Sequence, residues 1–496
     1  MKKLDKILEN KKLLFLFVFL YGSIIYIFMY YPTFGLDGYC QLAQTYKHYA
    51  NNFLIAGRFI TAMLWFIFDF IHMSHYLLSV VGHLLAIIFL SLSAITIYSA
   101  IKKKISKKII YKVILLLGSV LIVFNPFSQG ILVFEESFCM ALAVYISIKT
   151  AIIISDDVSK KNCIKCTALM LCANFLYQGC ISYFIPVVLI MNIIDNQDKK
   201  IKTYIKNNYK KVIAYALVFG ISCIIEFISL QVYVKLAHAK MAKVGKIDLL
   251  ANLAIIKELF YKTYFGMLSM INPTIFRYSL YTLLSIIFLR IIVNFKTESK
   301  YIVHIVFIIM VALLSSFIPN VVMKTCLNYT APRLLLTFGA VIGFLLVLST
   351  LIYDKKEKKL NKYYGILILV VGIFFFINNS YAALYNSFND YERYKADREY
   401  IDNVNNEINA YEKDNVKIEY IYYNIDEIDR PNYLGKYYNV NHLRICSSDW
   451  GLECGIKAFI RKNIKVEEMP KKKYKEMKKD NTLIMFDNDK MFMIFK

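Results

Sequence analysis

Apolar runs about as long as a bilayer is thick recur through the first three-quarters of the chain, and no other feature limits its fold so tightly. A hydrocarbon core of about 30 Å takes roughly 20 apolar residues per helix. Anything that crosses it must satisfy its own backbone polar groups. The qualifying segments are, approximately, 13–31, 76–101, 109–124, 137–154, 211–234, 278–295, 301–318, 334–353 and 364–383. Residues 164–194 are too long for one helix and are interrupted by Tyr177, Gln178 and Gly179, so they read as two shorter spans meeting at a polar turn. The expectation is a polytopic α-helical membrane protein with about 11 transmembrane helices. The first run is too long for a cleaved signal peptide, and no small-residue cleavage site follows, so it reads as a signal anchor.

Charge orients these spans. The chain carries 60 Lys and Arg against 36 Asp and Glu, a net +24. All of that excess lies in residues 1–383, which hold 40 basic and 16 acidic side chains, whereas 384–496 hold 20 of each. Basic residues lodged between apolar runs exclude a soluble nucleic-acid binder and a disordered chain. With the N-terminus in the cytoplasm, the inner segments are 1–12, 102–108, 155–165, 195–211, 296–300 and 354–362; they carry 26 Lys and Arg in about 60 residues. The opposite connections, near 32–75, 125–136, 235–277 and 319–333, carry 11 in roughly twice that length. By the positive-inside rule the tail from 384 then lies outside the cell. The expected domains are a membrane part, 1–383, and an extracytoplasmic module, 384–496. In the latter a helix-like stretch (386–412) precedes strand-like IEYIYYNI and TLIMFDNDKMFMIF, which suits a small α/β fold.

Lipid-facing residues explain anchoring alone, so chemistry is sought in the polar residues that break the pattern. The first outer loop, Pro32 to His75, contains helix-compatible stretches at 38–50 and 57–70, with aromatic residues on one side, as expected of interfacial helices. Asp37, between Gly35 and Gly38, reads either as a carboxylate at the membrane rim or as a helix N-cap. Arg58 follows Gly57 and can fix a phosphate through its forked guanidinium or simply snorkel. Glu135 and Glu136 precede the fourth span, where the helix dipole also favours acids. Tyr177 and Gln178 occupy the break between the fifth and sixth spans, and Arg333 opens the tenth. Glu226 is an acid inside a span, which calls for a cavity or a partner. Cys163 and Cys166 form a lone C-x-x-C, more in keeping with small buried side chains than with a metal site. Cys446 and Cys454 bracket SSDWGLE in the exported tail, where an oxidising compartment permits a disulfide.

The ordered set resembles a known family. A first-loop Asp is followed by Gly-Arg opening an interfacial helix, by Asn125-Pro126-Phe127 with acids ahead of span four, by the Tyr177-Gln178 turn, and by Pro332-Arg333 opening a late span. This pattern, covering about residues 30–345, is similar to the bacterial type II glucosyltransferases of O-antigen modification, members of the GT-C class of integral-membrane glycosyltransferases. The chain departs from the family where Gly38 and Tyr39 follow Asp37 in place of a second acid, and where Phe59 follows Arg58 in place of a common Pro. The resemblance implies a GT-C-like fold in the bacterial cytoplasmic membrane. The implied reaction moves a hexose, glucosyl by family habit, from a polyprenyl-phosphate-sugar donor to a cell-surface polysaccharide on the outer face. The implied partners are that lipid donor, the polysaccharide acceptor, membrane lipids, a small flippase and a carrier-lipid glycosyltransferase, with no nucleic acid.

Chemistry assigns the roles within that frame. Phosphate leaves readily, so the main demands are cationic stabilisation and removal of the acceptor proton. Asp37 is then the expected general base. Arg58 and Arg333 are the expected donor-phosphate ligands, and Glu135, Glu136, Tyr177 and Gln178 the sugar or acceptor ligands. No cofactor is required, although a divalent cation at Asp37 with Glu135 or Glu136 is compatible. Two rivals remain open: a polysaccharide polymerase, which usually places its large loop between later spans, and a lipid-linked sugar transporter or flippase, which usually shows matched broken helices in two halves.

Overall fold

A computed structural model describes residues 2–31, 33–103, 105, 108–194, 201–238, 249–265, 270–293, 300–317, 332–352, 358–413, 416–425, 445 and 449–495. The basic connections at 195–200, 296–299 and 354–357, most of 319–333, and Cys446 lie outside the described residues.

The chain opens with α1 (Lys2–Glu9) and α2 (Lys11–Ile25), the latter capped by Asn10, whose Oδ1 accepts from the backbone of Lys12 and Leu13. The first loop folds into α3 (Leu36–Leu42), α4 (Tyr46–Ile55) and α5 (Phe59–Phe70). The bundle continues with α6 (His75–Lys102), α7 (Ile109–Val123), the short α8 (Gln129–Leu132) and α9 (Ser137–Asp156). Then come α10 (Lys160–Leu176), α11 (Phe184–Ile194), α12 (Ile201–Leu236), α13 (Leu249–Phe265), α14 (Pro273–Val293) and α15 (Lys300–Leu314). After α16 (Leu336–Gly339) and α17 (Val341–Ser349), α18 (Lys358–Glu412) runs 55 residues without a break. Among the described residues six helices are long and apolar enough to cross a membrane, and the chain is a helical membrane protein with a small C-terminal sheet.

Several elements differ in detail from hydropathy. The first apolar run continues to Tyr31, yet α2 stops at Ile25. The next four residues form a 3-10 turn (Ile27–Tyr30) whose Phe28 ring packs on Phe388 and Tyr391 of α18 rather than extending a span. Residues 336–349 are enclosed on all sides, with Gly343 set against the backbone of Gly118 and Ile122 on α7. Such contacts between small residues let helix backbones approach without a solvent-driven force. Helix α13 occupies part of a stretch that reads as a connection. Its charges, Lys257 with an i,i+4 Glu258–Lys262 pair, sit on one face while Ile256 and Leu259 are buried on another, so a linear average hides it.

At one end of the bundle, Lys112 pairs with Asp5 and Glu9, and Lys102 with Glu9, which seats α1 on the basic stretch between α6 and α7. At the other end the first loop meets the tail. At 1.5 Å per residue a 55-residue helix is about 80 Å long, well over twice a bilayer core, so α18 continues past its apolar stretch into the core of the C-terminal module.

The tail adds β1 (Tyr420–Ile425), α19 (Asp449–Phe459), β2 (Lys465–Glu468), α20 (Lys471–Lys479), β3 (Ile484–Asp487) and β4 (Lys490–Phe495). The sheet order is β2-β1-β4-β3; β1 lies parallel to both β2 and β4, and β3–β4 is an antiparallel hairpin. Its core includes Ile401, Val404 and Ile408 of α18 with Ile421, Leu452, Ile456 and Met491, and it takes in Phe34 and Tyr39 of the first loop.

The tail disulfide differs from the pairing that proximity in sequence suggests. Cys454 is bonded to Cys40 of α3, 414 residues away, because α19 packs directly on α3.

Close helix contact predicts that Gly343→Val destabilises the protein by about 1–3 kcal/mol, because the new side chain meets backbone on α7. At Gly220 a Cβ would meet nothing within 4 Å, and Gly220→Ala should stay within about 1 kcal/mol of the parent. Thermal unfolding of the two purified variants in detergent checks both.

Candidate active site

Apart from Glu226, which lies within α12, the polar residues of interest sit at helix ends or interruptions, and these meet at the tail-facing end of the bundle. After α7, Asn125 caps a 3-10 turn (Pro126–Ser128) by accepting from Phe127 N at 3.1 Å, which leads through α8 to the acids. Gly130 in α8 lets the backbone of Pro332 and Arg333 approach, since a Cβ there would lie 2.5 Å from Arg333 N. After α10, Tyr177 is extended and a second 3-10 turn (Gln178–Tyr183) joins α11.

The first loop supplies Asp37, Arg58 and their supports. Asp37 lies in the first turn of α3, whose N-cap is Gly35, so it is not the capping residue. Arg58 follows Gly57, which takes a left-handed φ of 77° that favours glycine. A side chain at Gly57 would also collide with Glu226 and Gln178. Gln178 Nε2 donates to the carbonyl of Ala56 at 2.9 Å and to Glu226 Oε1 at 3.1 Å. Gln178 and Glu226 thus brace the turn that aims Arg58.

Glu136, Arg58, Tyr177 and Arg333 form one connected group. Arg58 Nη1 stands 3.8 Å from Glu136 Oε1, and its guanidinium lies over the Tyr177 ring at 4.4 Å. The Tyr177 hydroxyl accepts from Arg333 Nε at 2.8 Å, and Arg333 stacks over Phe134 at 4.6 Å. The stacking and the Nε bond fix the Arg333 plane and leave its terminal nitrogens without a hydrogen bond among the described residues. Asp37 acts electrostatically on Arg333 and, with Glu136, on Tyr49. Burial first, and then those two carboxylates, push the Tyr49 hydroxyl upward.

The three carboxylates differ in what they hold. Glu135 is buried and accepts from His75 Nδ1 at 2.9 Å, on the side where Tyr46 stacks on the His75 ring at 4.1 Å. Glu136 accepts from Gln41 Nε2 at 3.0 Å. Burial raises both above the ordinary range, Glu135 to about 7 against the pull of His75. Asp37 is half-buried and has neither hydrogen bond nor ion pair among the described residues.

Of the residues singled out from the sequence, Arg58, Glu136, Tyr177 and Arg333 touch one another, and Asp37 faces the group without touching it. Gln178 supports it from behind, and Glu135 turns away to His75. Gln41, Tyr49 and His75 escaped notice. Gln41 was within reach, because it lies four residues after Asp37 and so on the same face of a helix. His75 and Tyr49 carry no local signal. Among the described residues no group of three or more His, Cys, Asp or Glu side chains gathers as metal ligands, and Cys163 and Cys166 are free thiols.

The arginines and carboxylates of this helical membrane protein thus gather at interrupted helix ends. Residues 41–350, more than half of the chain, match the family model for glucosyl transferase GtrII, and the chain belongs to that family. Asp37 lies just ahead of the matched residues, and the other six lie within them. None of the curated proteins matches the chain.

The raised Glu135 predicts a pH effect on stability. An unfolded Glu135 loses its proton near its ordinary value of 4.5, the folded one near 7. Between those values the unfolded state binds fewer protons, so stability falls as pH rises from 4.5 to 7 and is level beyond, by at most about 3 kcal/mol. Melting temperatures at pH 5 and pH 8 should therefore differ less in Glu135→Gln than in the parent protein.

Proposed function

We propose that this protein transfers a hexose, glucosyl by family, from a polyprenyl-phosphate sugar to a cell-surface polysaccharide at the outer face of a bacterial cytoplasmic membrane. In this reading the N-terminus is cytoplasmic and the C-terminal module is extracytoplasmic. The observation that carries it is one unengaged carboxylate, Asp37, within electrostatic reach of Arg333, a guanidinium held in plane by Tyr177 and Phe134.

The reaction is a single displacement with inversion. An acceptor hydroxyl attacks C1 of the sugar while its proton passes to Asp37. The C1–O bond to phosphate breaks, and polyprenyl phosphate departs with the electron pair. Arg333, with Arg58 beside it, neutralises the charge that develops on the phosphate, in surroundings that are already organised before reaction. A carboxylate serves as base only while its lone pairs are free. Glu135 is committed to His75 and Glu136 to Gln41 and Arg58, so Asp37 takes that role. Glu136, Tyr177 and Gln178 then hold sugar hydroxyls or frame the arginines, and Glu135 fixes His75 at the start of α6. No cofactor is needed in this scheme. A divalent cation shared by Asp37 and Glu136 is compatible with it and would assist the same phosphate.

Two variants test the assignment in membranes supplied with a polyprenyl-phosphate sugar. Asp37→Asn should lower kcat by about 10²–10⁴-fold with donor binding retained; turnover at the parent rate would remove the base. Arg333→Ala should weaken apparent donor affinity by about 10–100-fold, as expected for loss of a charged hydrogen bond. An unchanged donor KM would count against the phosphate role.

A further inference from the structure

The helix that carries Asp37 is seven residues long, too short to persist by itself in water. Three consecutive side chains fasten it to three partners. Tyr39 Oη donates to Asp397 Oδ2 at 2.9 Å, Cys40 is bonded to Cys454 of α19, and Gln41 donates to Glu136 at 3.0 Å. Two of these three ties run to the C-terminal module, on residues far beyond the family match.

The Asp397 tie belongs to a charged cluster without solvent contact. Asp390, Arg393 and Asp397 lie one turn apart on α18, each 0% exposed. Arg393 stands 3.6 Å from Asp390 and 3.2 Å from Asp397, and its Nη2 donates to the carbonyl of Phe34 at 2.7 Å. Ile445 N donates to the second Asp397 oxygen at 3.2 Å, and Gln129 of α8 donates to Asp390. Taking three charges out of water costs several kcal/mol each, and their mutual attraction seldom returns more than that. Packed apolar side chains would hold the same elements together at least as firmly. What such a cluster adds is a single permitted geometry, because every displaced partner leaves a buried charge unmet. One end of the cluster fixes α3 through Phe34 and Tyr39. The other fixes α8, against which the Pro332–Arg333 backbone is seated. The cluster is therefore common to the helix bearing the base and the helix supporting the phosphate arginine.

We propose that the C-terminal module is part of the catalytic apparatus, with Tyr39, Arg393 and Asp397, together with the Cys40–Cys454 bond, acting as positioning residues that set Asp37 against the attacking hydroxyl. This rests on the reading of Asp37 as the base. A base displaced by about 1 Å can cost up to about 10²-fold in rate while the ground-state complex is unaffected. The effect should thus fall on kcat and leave donor KM alone.

The full-length protein in membranes tests this with two mild variants. Tyr39→Phe removes one hydroxyl and leaves Asp397 bonded to Arg393 and Ile445 N. Cys454→Ser cuts the covalent tie and leaves the buried cluster whole. Each should lower kcat by about 10–100-fold with donor KM close to the parent; Tyr39→Phe should also keep a melting temperature close to the parent, whereas Cys454→Ser gives up the stability of a cross-link. A parent-like kcat in both variants, a loss that follows donor KM, or a loss in Tyr39→Phe that follows thermal stability overturns the positioning role. Asp37→Asn is assayed alongside. If it is inactive while both variants turn over normally, only the positioning proposal fails; if it is active, the base assignment itself is at fault.

Discussion

A helix broken inside an apolar bundle frees backbone groups that no water can satisfy, and this protein places its polar residues wherever such breaks occur. The breaks are covered by one another's side chains. Tyr26 donates to the carbonyl of Asn125, Tyr183 to that of Ile122 and Asn379 to that of Phe124, which together secure the end of α7. Gln178 donates to Ala56 O and Thr61 to Leu176 O, so the turn after α10 satisfies the end of α4 and α5 satisfies the end of α10. Asn386 on α18 reaches Met270 O in the same way. Each bond joins segments far apart in sequence, so no break can be accommodated alone. The candidate site is the place where these exchanges accumulate.

The electrostatics follow from that architecture. Two arginines and three carboxylates in a partly dry space would repel or collapse unless most were already committed. Arg58 is held by Tyr177 and Glu136, Arg333 by Tyr177 and Phe134, Glu135 by His75, and Glu136 by Gln41. Tyr177 contributes most to this economy. Its ring supports one guanidinium and its hydroxyl fixes the other, so the two cations are spaced by a neutral group rather than by bulk water. A pair of cations arranged in this way suits a ligand carrying more than one negative oxygen.

Hydropathy and charge made the membrane-helical character legible, because both are sums over many residues and tolerate local error. The family was legible for a different reason: Arg58, the acids at 135 and 136, Tyr177-Gln178 and Pro332-Arg333 interrupt otherwise monotonous runs, and interruptions are rare enough to be recognised in order. What escaped was set by long-range packing. Helix α13 was hidden because its charges share one face, and α2 was overextended because aromatic residues score as apolar while stacking on α18. The partner of Cys454 lies 414 residues away, so no spacing rule reaches it. Tyr39 looked like one more aromatic residue in a loop. Only the fold brings it to Asp397.

The length of α18 gives the tail's contact with the first loop its mechanical sense. About 20 of its residues suffice to cross a hydrocarbon core, and Gly and Pro are absent from its sequence after Gly372. The rest projects as a continuation of the same rod, so its orientation is inherited from the bundle rather than set by a flexible linker. Phe34 and Tyr39 are buried in the core that this projection shares with the sheet. The first loop is thereby held at both ends of one rigid reference: α2 packs beside the lower part of α18, and α3 docks on the upper part through Arg393 and Asp397. A loop anchored to a single rod at two heights cannot drift relative to the bundle without bending that rod, and the sheet and the Cys40–Cys454 bond resist rotation about it.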